Sequence, residues 1–141
     1  MNNVSLIISV IIIAAAAILG VQVLYPLYQN YLVEGDVDQL GYVTGRVHAF
    51  NEKAGAANLD EFSTLIARGY IPVDSPYADG VGEARSGGDI TAVTAGADTV
   101  TVTYTARSDE ACLFMVDSAE QYVGLTGAPT CDANVLTAIV N

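Results

Sequence analysis

No charged side chain occurs before Glu34, and no basic one before Arg46. The chain has no tryptophan, two cysteines, one histidine, and five basic residues against sixteen acidic ones, a net charge of −11 over 141 residues. Each shortage excludes something. Arg46, Lys53, Arg68, Arg85 and Arg107 form no basic patch or stripe, so nucleic acid is not an expected partner. His48 is alone on a helical stretch, with no Ser-His-Asp set around it. HExxH, CxxC and a phosphate-cradling glycine loop are absent. The sequence therefore predicts no enzyme, no cofactor and no metal site. Asp74, Asp79, Glu83 and Asp89 are oxygen ligands that Ca²⁺ takes, but their spacing does not fit an EF-hand, and a solvated acidic loop is expected. Asp36 and Asp38 are expected as exposed partners of Arg46 or Lys53 on a neighbouring copy, adding register rather than stability.

The uncharged opening also lacks a basic n-region, which a secretory signal peptide carries. That pattern is expected of a chain whose basic leader has already been removed. What the opening does contain is an apolar run, Leu6 to Leu24, about the 20 residues a bilayer-spanning helix needs. Only Ser5, Ser9 and Gln22 are polar within or beside it. In hydrocarbon, an isolated segment satisfies its backbone only as a helix. Ala14 to Ala17 and Gly20 form a small-residue patch that allows another helix to approach closely, with β-branched bulk at Val10 to Ile13. Gly20 and Pro26 bracket a weak point, because proline removes one backbone hydrogen bond. Tyr25, Tyr28 and Tyr31 cluster where an interfacial aromatic belt sits. The sequence thus divides into a hydrophobic helix, residues 1–33, and a head, residues 34–141.

The head reads as α+β. Val37, Leu40, Val43 or Thr44, Val47 and Phe50 or Ala49 recur at helical steps through residues 34–53. One helix from the N-terminus to Lys53 is roughly 75–80 Å long. Gly35, Gly41 and Gly45 weaken that helix and permit close packing. Asn58 is expected to cap a short helix over 58–68 that stops at Gly69. A Pro-, Gly- and Asp-rich loop runs from 70 to 88. Residues 89–94 and 99–106 form a hairpin, with Val100, Val102 and Tyr104 alternating against Thr101, Thr103 and Thr105. Ser108 caps a helix with Asp109 and Glu110 in its first turn. Strands are expected at 120–126 and 134–140, with a turn at 126–130. In an exported domain Cys112 and Cys131 most simply form one disulfide, whose loop contributes roughly 3 kcal/mol.

These features together resemble a type IV pilin, in particular the type IVb group of toxin-coregulated and plasmid-encoded thin-pilus pilins. The resemblance is carried by ARGYIPVDS (Ala67 to Ser75), GGDITAV (Gly87 to Val93) and VTVTYTARSDEAC (Val100 to Cys112). In that group similar strings run from a glycine pair through a threonine-rich hairpin into a short helix bearing the first disulfide cysteine. The resemblance implies a long helix spine on a small antiparallel sheet. It also implies a leader cut by a prepilin peptidase, with Met1 as the processed and methylated residue. Its partners would be the inner membrane before assembly, the pilus assembly machinery, and then copies of itself in a helical filament on the cell surface. Filament-core packing is expected at Leu6, Val10, Ile13, Ala14, Ala17 and Gly20. The chain departs from the family at Ser5, where a glutamate usually neutralises the amine of a neighbouring subunit. That departure keeps a minor pilin or a pseudopilin of a type II secretion system as the alternative to a major pilin. An unrelated single-pass protein with an exported binding domain is the third reading.

Overall fold

The structure is a computed structural model and describes residues 3–73 and 82–141. Met1, and the loop acids Asp74 and Asp79, lie outside the described residues. Helix α1 runs over Asn3–Ala54, 52 residues with Pro26 inside it. By its internal contacts the chain divides into two compact units, Met1–Leu32 and Val33–Asn141. The first is helical throughout its described residues and buries none of its side chains.

The second unit is an α+β head. Its share of α1 buries Val37, Leu40, Val43, Thr44, Val47 and Phe50, the stripe that the three- and four-residue steps predict, and Val33 before it. These pack on an antiparallel sheet of four strands, β1 (Ile90–Thr94), β2 (Val100–Thr105), β3 (Thr130–Asp132) and β4 (Val135–Val140), in the order β1-β2-β4-β3. The register places three rows on the inner face. They are Thr94–Val100–Val140, Ala92–Val102–Ala138, and Ile90–Tyr104–Leu136–Cys131. The middle row is small, which leaves room for the helix side chains. The outer face carries Thr91, Thr103, Thr137 and Thr130 in one row across all four strands. Threonine is β-branched and tolerates water, so it suits a strand face that is half covered.

Helix α3 (Asp109–Asp117) starts as expected: the Ser108 hydroxyl accepts from the Ala111 N–H. It buries Ala111, Cys112 and Met115. Three local expectations are corrected. Asn58 does not cap the second helix. Residues Ala56–Asn58 form a 3-10 turn, and the Asn58 side chain bonds back to the Ala54 carbonyl. Helix α2 is shorter, Phe62–Ala67, with Glu61 at its N-cap making no side-chain cap bond. Its stop at Gly69 holds: Gly69 has φ +76°, its N–H bonds to Ile66 O, and the Tyr70 N–H bonds to Leu65 O. That is the paired closure of a Schellman motif, which favours glycine at the left-handed position. Residues 120–126 are not a strand. They hold the end of a 3-10 turn, Ala119–Gln121, and then a single bridge from Leu125 to Val140. The strand lies instead at β3, the first arm of a hairpin with β4.

Cys112 and Cys131 are joined as expected, tying α3 to the edge strand β3. With three residues β3 is too short to hold itself by ladder bonds alone. The Cys112→Ser/Cys131→Ser chain is therefore expected to lose about 3 kcal/mol of head stability. Urea unfolding of the full chain in detergent micelles, followed by tyrosine circular dichroism, checks this. Protease nicking between residues 125 and 135 is expected to appear first.

Candidate functional site

The first candidate surface is α1 before the head. Leu6 is 53 % exposed, Val10 58 % and Ile13 70 %. Ala14 and Ala17 are exposed beside them, and Gly20 is half-covered by its own helix. Tyr25, Tyr28 and Tyr31 are exposed at the end of the run. By length and composition this helix is able to cross a membrane, and none of its apolar stretch is buried within the chain. Ser9 donates to the Ser5 carbonyl at 2.8 Å, so its hydroxyl is satisfied on the helix itself. The backbone is continuous through Gly20 and Pro26. Pro26 still removes one backbone hydrogen bond from that turn.

A contiguous apolar surface of this size on a chain of net charge −11 needs a cover. Soluble monomers rarely expose apolar patches beyond a few hundred Å². The arrangement can do two things chemically: it can dissolve in lipid, or it can pack against like helices.

The second candidate surface is the head, where the structure places several polar residues differently from expectation. Asp36 is fully buried and does not face a neighbouring copy. Arg107 Nε lies 2.7 Å from its Oδ2 and Nη2 lies 3.1 Å from its Oδ1. Arg107 also donates to the Arg85 carbonyl at 2.8 Å. The Tyr104 hydroxyl lies 3.1 Å from Asp36 Oδ1 and 2.8 Å from Gln39 Oε1. Gln39 in turn donates to Glu83 O and accepts from the Arg85 N–H. This closed network joins α1, the segment 83–85 and β2. Sequence reasoning missed it because Asp36 and Arg107 are 71 positions apart. A signal was present: Asp36 and Gln39 share a helix face with Val37 and Leu40, where a polar residue requires a partner.

Asp38 is exposed, and so are Arg46 and Lys53. The Arg46 guanidinium carbon lies 4.9 Å from the centre of the Tyr42 ring on the same helix. His48 is half-buried; its Nδ1 donates to Asn141 O at 2.6 Å and its Nε2 faces Glu52 at 3.6 Å. It serves as a tether between α1 and the end of the chain. The tether fits tightly, since a Cβ on Gly124 (φ +76°) would lie 2.6 Å from the His48 ring. Of the three glycines in the head portion of α1, Gly41 lies against Gln121 and Tyr122 and Gly35 against Arg85, while Gly45 faces open space. Among the described residues, no group of three His, Cys, Asp or Glu side chains is placed to hold a metal ion.

Burial pushes the hydroxyl pKa of Tyr104 well above its usual value, and the Asp36 charge adds to this. Burial alone does the same for Tyr122, which donates to Met115 O at 2.8 Å. A raised folded pKa means the native state holds its proton where the unfolded chain releases it, at about pH 10. The two tyrosines therefore contribute stability below that pH, and the contribution falls as pH rises beyond it. In an alkaline titration followed by tyrosinate absorbance, both are expected to ionise only with unfolding. Tyr122→Phe is expected to remove one late-titrating group.

The long N-terminal apolar helix, the small antiparallel sheet and the disulfide are consistent with a pilin-like architecture. Comparison with family models, with curated proteins and with solved structures finds no match.

Proposed function

We propose that this chain is the repeating structural subunit, the major pilin, of a type IVb-like pilus. The observation that carries the reading is the run of large apolar side chains from Val4 to Tyr31, all exposed, on a chain whose head is closed by its own core and a disulfide. The head buries a core of its own, whereas the helix from Val4 to Tyr31 buries none of its apolar side chains. In this reading the helix first lies in the inner membrane, after a prepilin peptidase has cut the leader and methylated Met1. Assembly then transfers it into a bundle of parallel copies. Leu6, Val10, Ile13, Ala14, Ala17 and Gly20 pack in the bundle, at about 25 cal/mol per Å² of apolar surface removed from water. The turn between Gly20 and Pro26 is the place where such a filament stretches by local loss of helix. The acidic head faces the medium.

One observation favours a second reading. Ser5 supplies no carboxylate for the amine of a neighbouring subunit, which suits a minor pilin or pseudopilin present in few copies. Shearing of surface filaments, electron microscopy, and mass spectrometry of the main band test both. The major-pilin reading expects this chain as the main band, with a methylated N-terminal residue and the Cys112–Cys131 link. A few copies per filament would support the second reading. Complete retention in the membrane fraction would sink both in favour of a single-pass protein.

A further inference from the structure

Exposed charges on the head portion of α1 begin with two acids, Glu34 and Asp38; Arg46 follows, and Glu52 and Lys53 lie side by side near its end. Asp38, Tyr42 and Arg46 follow at four-residue steps and share one stripe. From Asp38 to Arg46 that stripe rises about 12 Å.

Glu34 and Asp38 also rim a cavity of about 250 Å³ whose other lining residues are Val37, Phe114 and Gln121. Phe114 is 45 % exposed and flanks the buried Ala111, Cys112 and Met115 of α3. The lining holds two carboxylates, an aromatic ring and no cation. Arg107 is committed to Asp36, and Arg85 lies over Gly35 and lines a different cavity. Carboxylate oxygens accept the N–H groups of a guanidinium, and a ring face attracts its charge. The set fits an arginine better than a lysine, whose compact ammonium has no planar fork. Arg46 makes no ion pair among the described residues, and the Tyr42 ring props its guanidinium.

We propose that the cavity formed by Glu34, Asp38 and Phe114 receives Arg46 of a second copy of this chain. The contact is parallel and staggered by about 12 Å along α1. It rests on the proposed parallel assembly of the apolar helices. A second copy is the fitting occupant because copies that each carry −11 repel unless their few cations are aimed at acids. A parallel neighbour offset by that ~12 Å sets its Arg46 level with Asp38 of the first copy. The pairing fixes the stagger, while the apolar helix supplies the cohesion.

The test compares filaments from cells expressing the full chain, Asp38→Arg, Arg46→Asp, and the two substitutions together. All these positions are exposed, and membrane-fraction levels report whether each variant is made. Each single reversal is expected to lower sheared filament protein roughly tenfold or more, because like charges then face each other. The combined swap is expected to restore most of it. A second measurement does not depend on disruptive variants. In Arg46→Lys filaments, carbodiimide is expected to couple position 46 to Glu34 or Asp38 of another chain. This gives a ladder of covalent multimers, with the linked peptide assigned by mass spectrometry. Wild-type filament yield from both single reversals, or filaments of Arg46→Lys without that link, would overturn the contact and leave the pilin reading standing. If the wild-type chain sheds no filaments, the pilin reading falls and the contact falls with it.

Discussion

Arg107→Ala is expected to destabilise the head by about 3–5 kcal/mol, because it strands a buried carboxylate. Asp36 has no exposed surface, and its two oxygens are held by Arg107 and the Tyr104 hydroxyl. The arginine side chain is 21 % exposed, so water offsets part of the loss and places the effect toward the lower end. The loss is not what the pair itself contributes. Removing two charges from water costs nearly what their attraction returns, and apolar replacements of both are often neutral. Asp36→Leu combined with Arg107→Leu is therefore expected to recover most of the stability. The Tyr104 hydroxyl would keep its bond to Gln39 in that variant. Urea midpoints of the unaltered chain, Asp36→Leu, Arg107→Leu and the combined variant in detergent micelles form the cycle. A loss below about 1 kcal/mol for Arg107→Ala would show that the Asp36 carboxylate reaches water.

The network matters beyond stability because it determines which acids remain available. Asp36 faces inward and is paired with Arg107, whereas Glu34 and Asp38, two residues to either side and nearly on the opposite face, stay exposed. Helical spacing alone separates the two classes, as residues two apart point about 200° from each other. A substitution that moved Asp36 outward would therefore also disturb the acid pair proposed to meet a second copy.

Much of the head was legible because its signals are local. Val100, Val102 and Tyr104 alternate with threonines, and the structure buries those three. Ser108 followed by Asp109 and Glu110 marked a helix start within three residues, and the cap bond is there. The apolar stripe from Val37 to Phe50 gave the buried face of α1. Failures came where the deciding partner is distant. Thr130–Asp132 has no strand pattern of its own and is a strand because β4 lies beside it and Cys131 is tied to α3. Tyr122 and Val123 looked like strand residues, yet Tyr122 turns inward to bond Met115 O. Asn58 had the right chemistry for a cap, but the Thr94 hydroxyl bonds the Ala56 and Leu59 carbonyls and holds that segment as a 3-10 turn. On the functional side, the apolar helix was plain from composition. The cavity beside Phe114 was not, since it needs α3 and α1 to meet.

Ala14→Leu combined with Ala17→Leu is expected to abolish filaments while leaving the chain in the membrane. The two environments proposed for α1 make different demands. Lipid requires only apolar side chains, and leucine is favourable at the centre of a span by about 0.3–0.6 kcal/mol on insertion scales. A helix bundle requires fit as well, and small residues let backbones approach closely. Two added leucine side chains overpack that approach at about 1–3 kcal/mol each, repeated at every subunit. A filament of many copies multiplies a small defect, so recovery in the sheared fraction is expected to fall by about thirtyfold or more. Membrane-fraction levels and the Cys112–Cys131 link are expected to be unchanged, because the head lies outside the altered turns. Ala14→Ser with Ala17→Ser, which keeps the volume small, is expected to assemble. If the leucine chain forms filaments at the wild-type level, the small-residue face is not the packing surface. If the serine chain fails while the leucine chain succeeds, hydrophobicity rather than close fit holds the bundle.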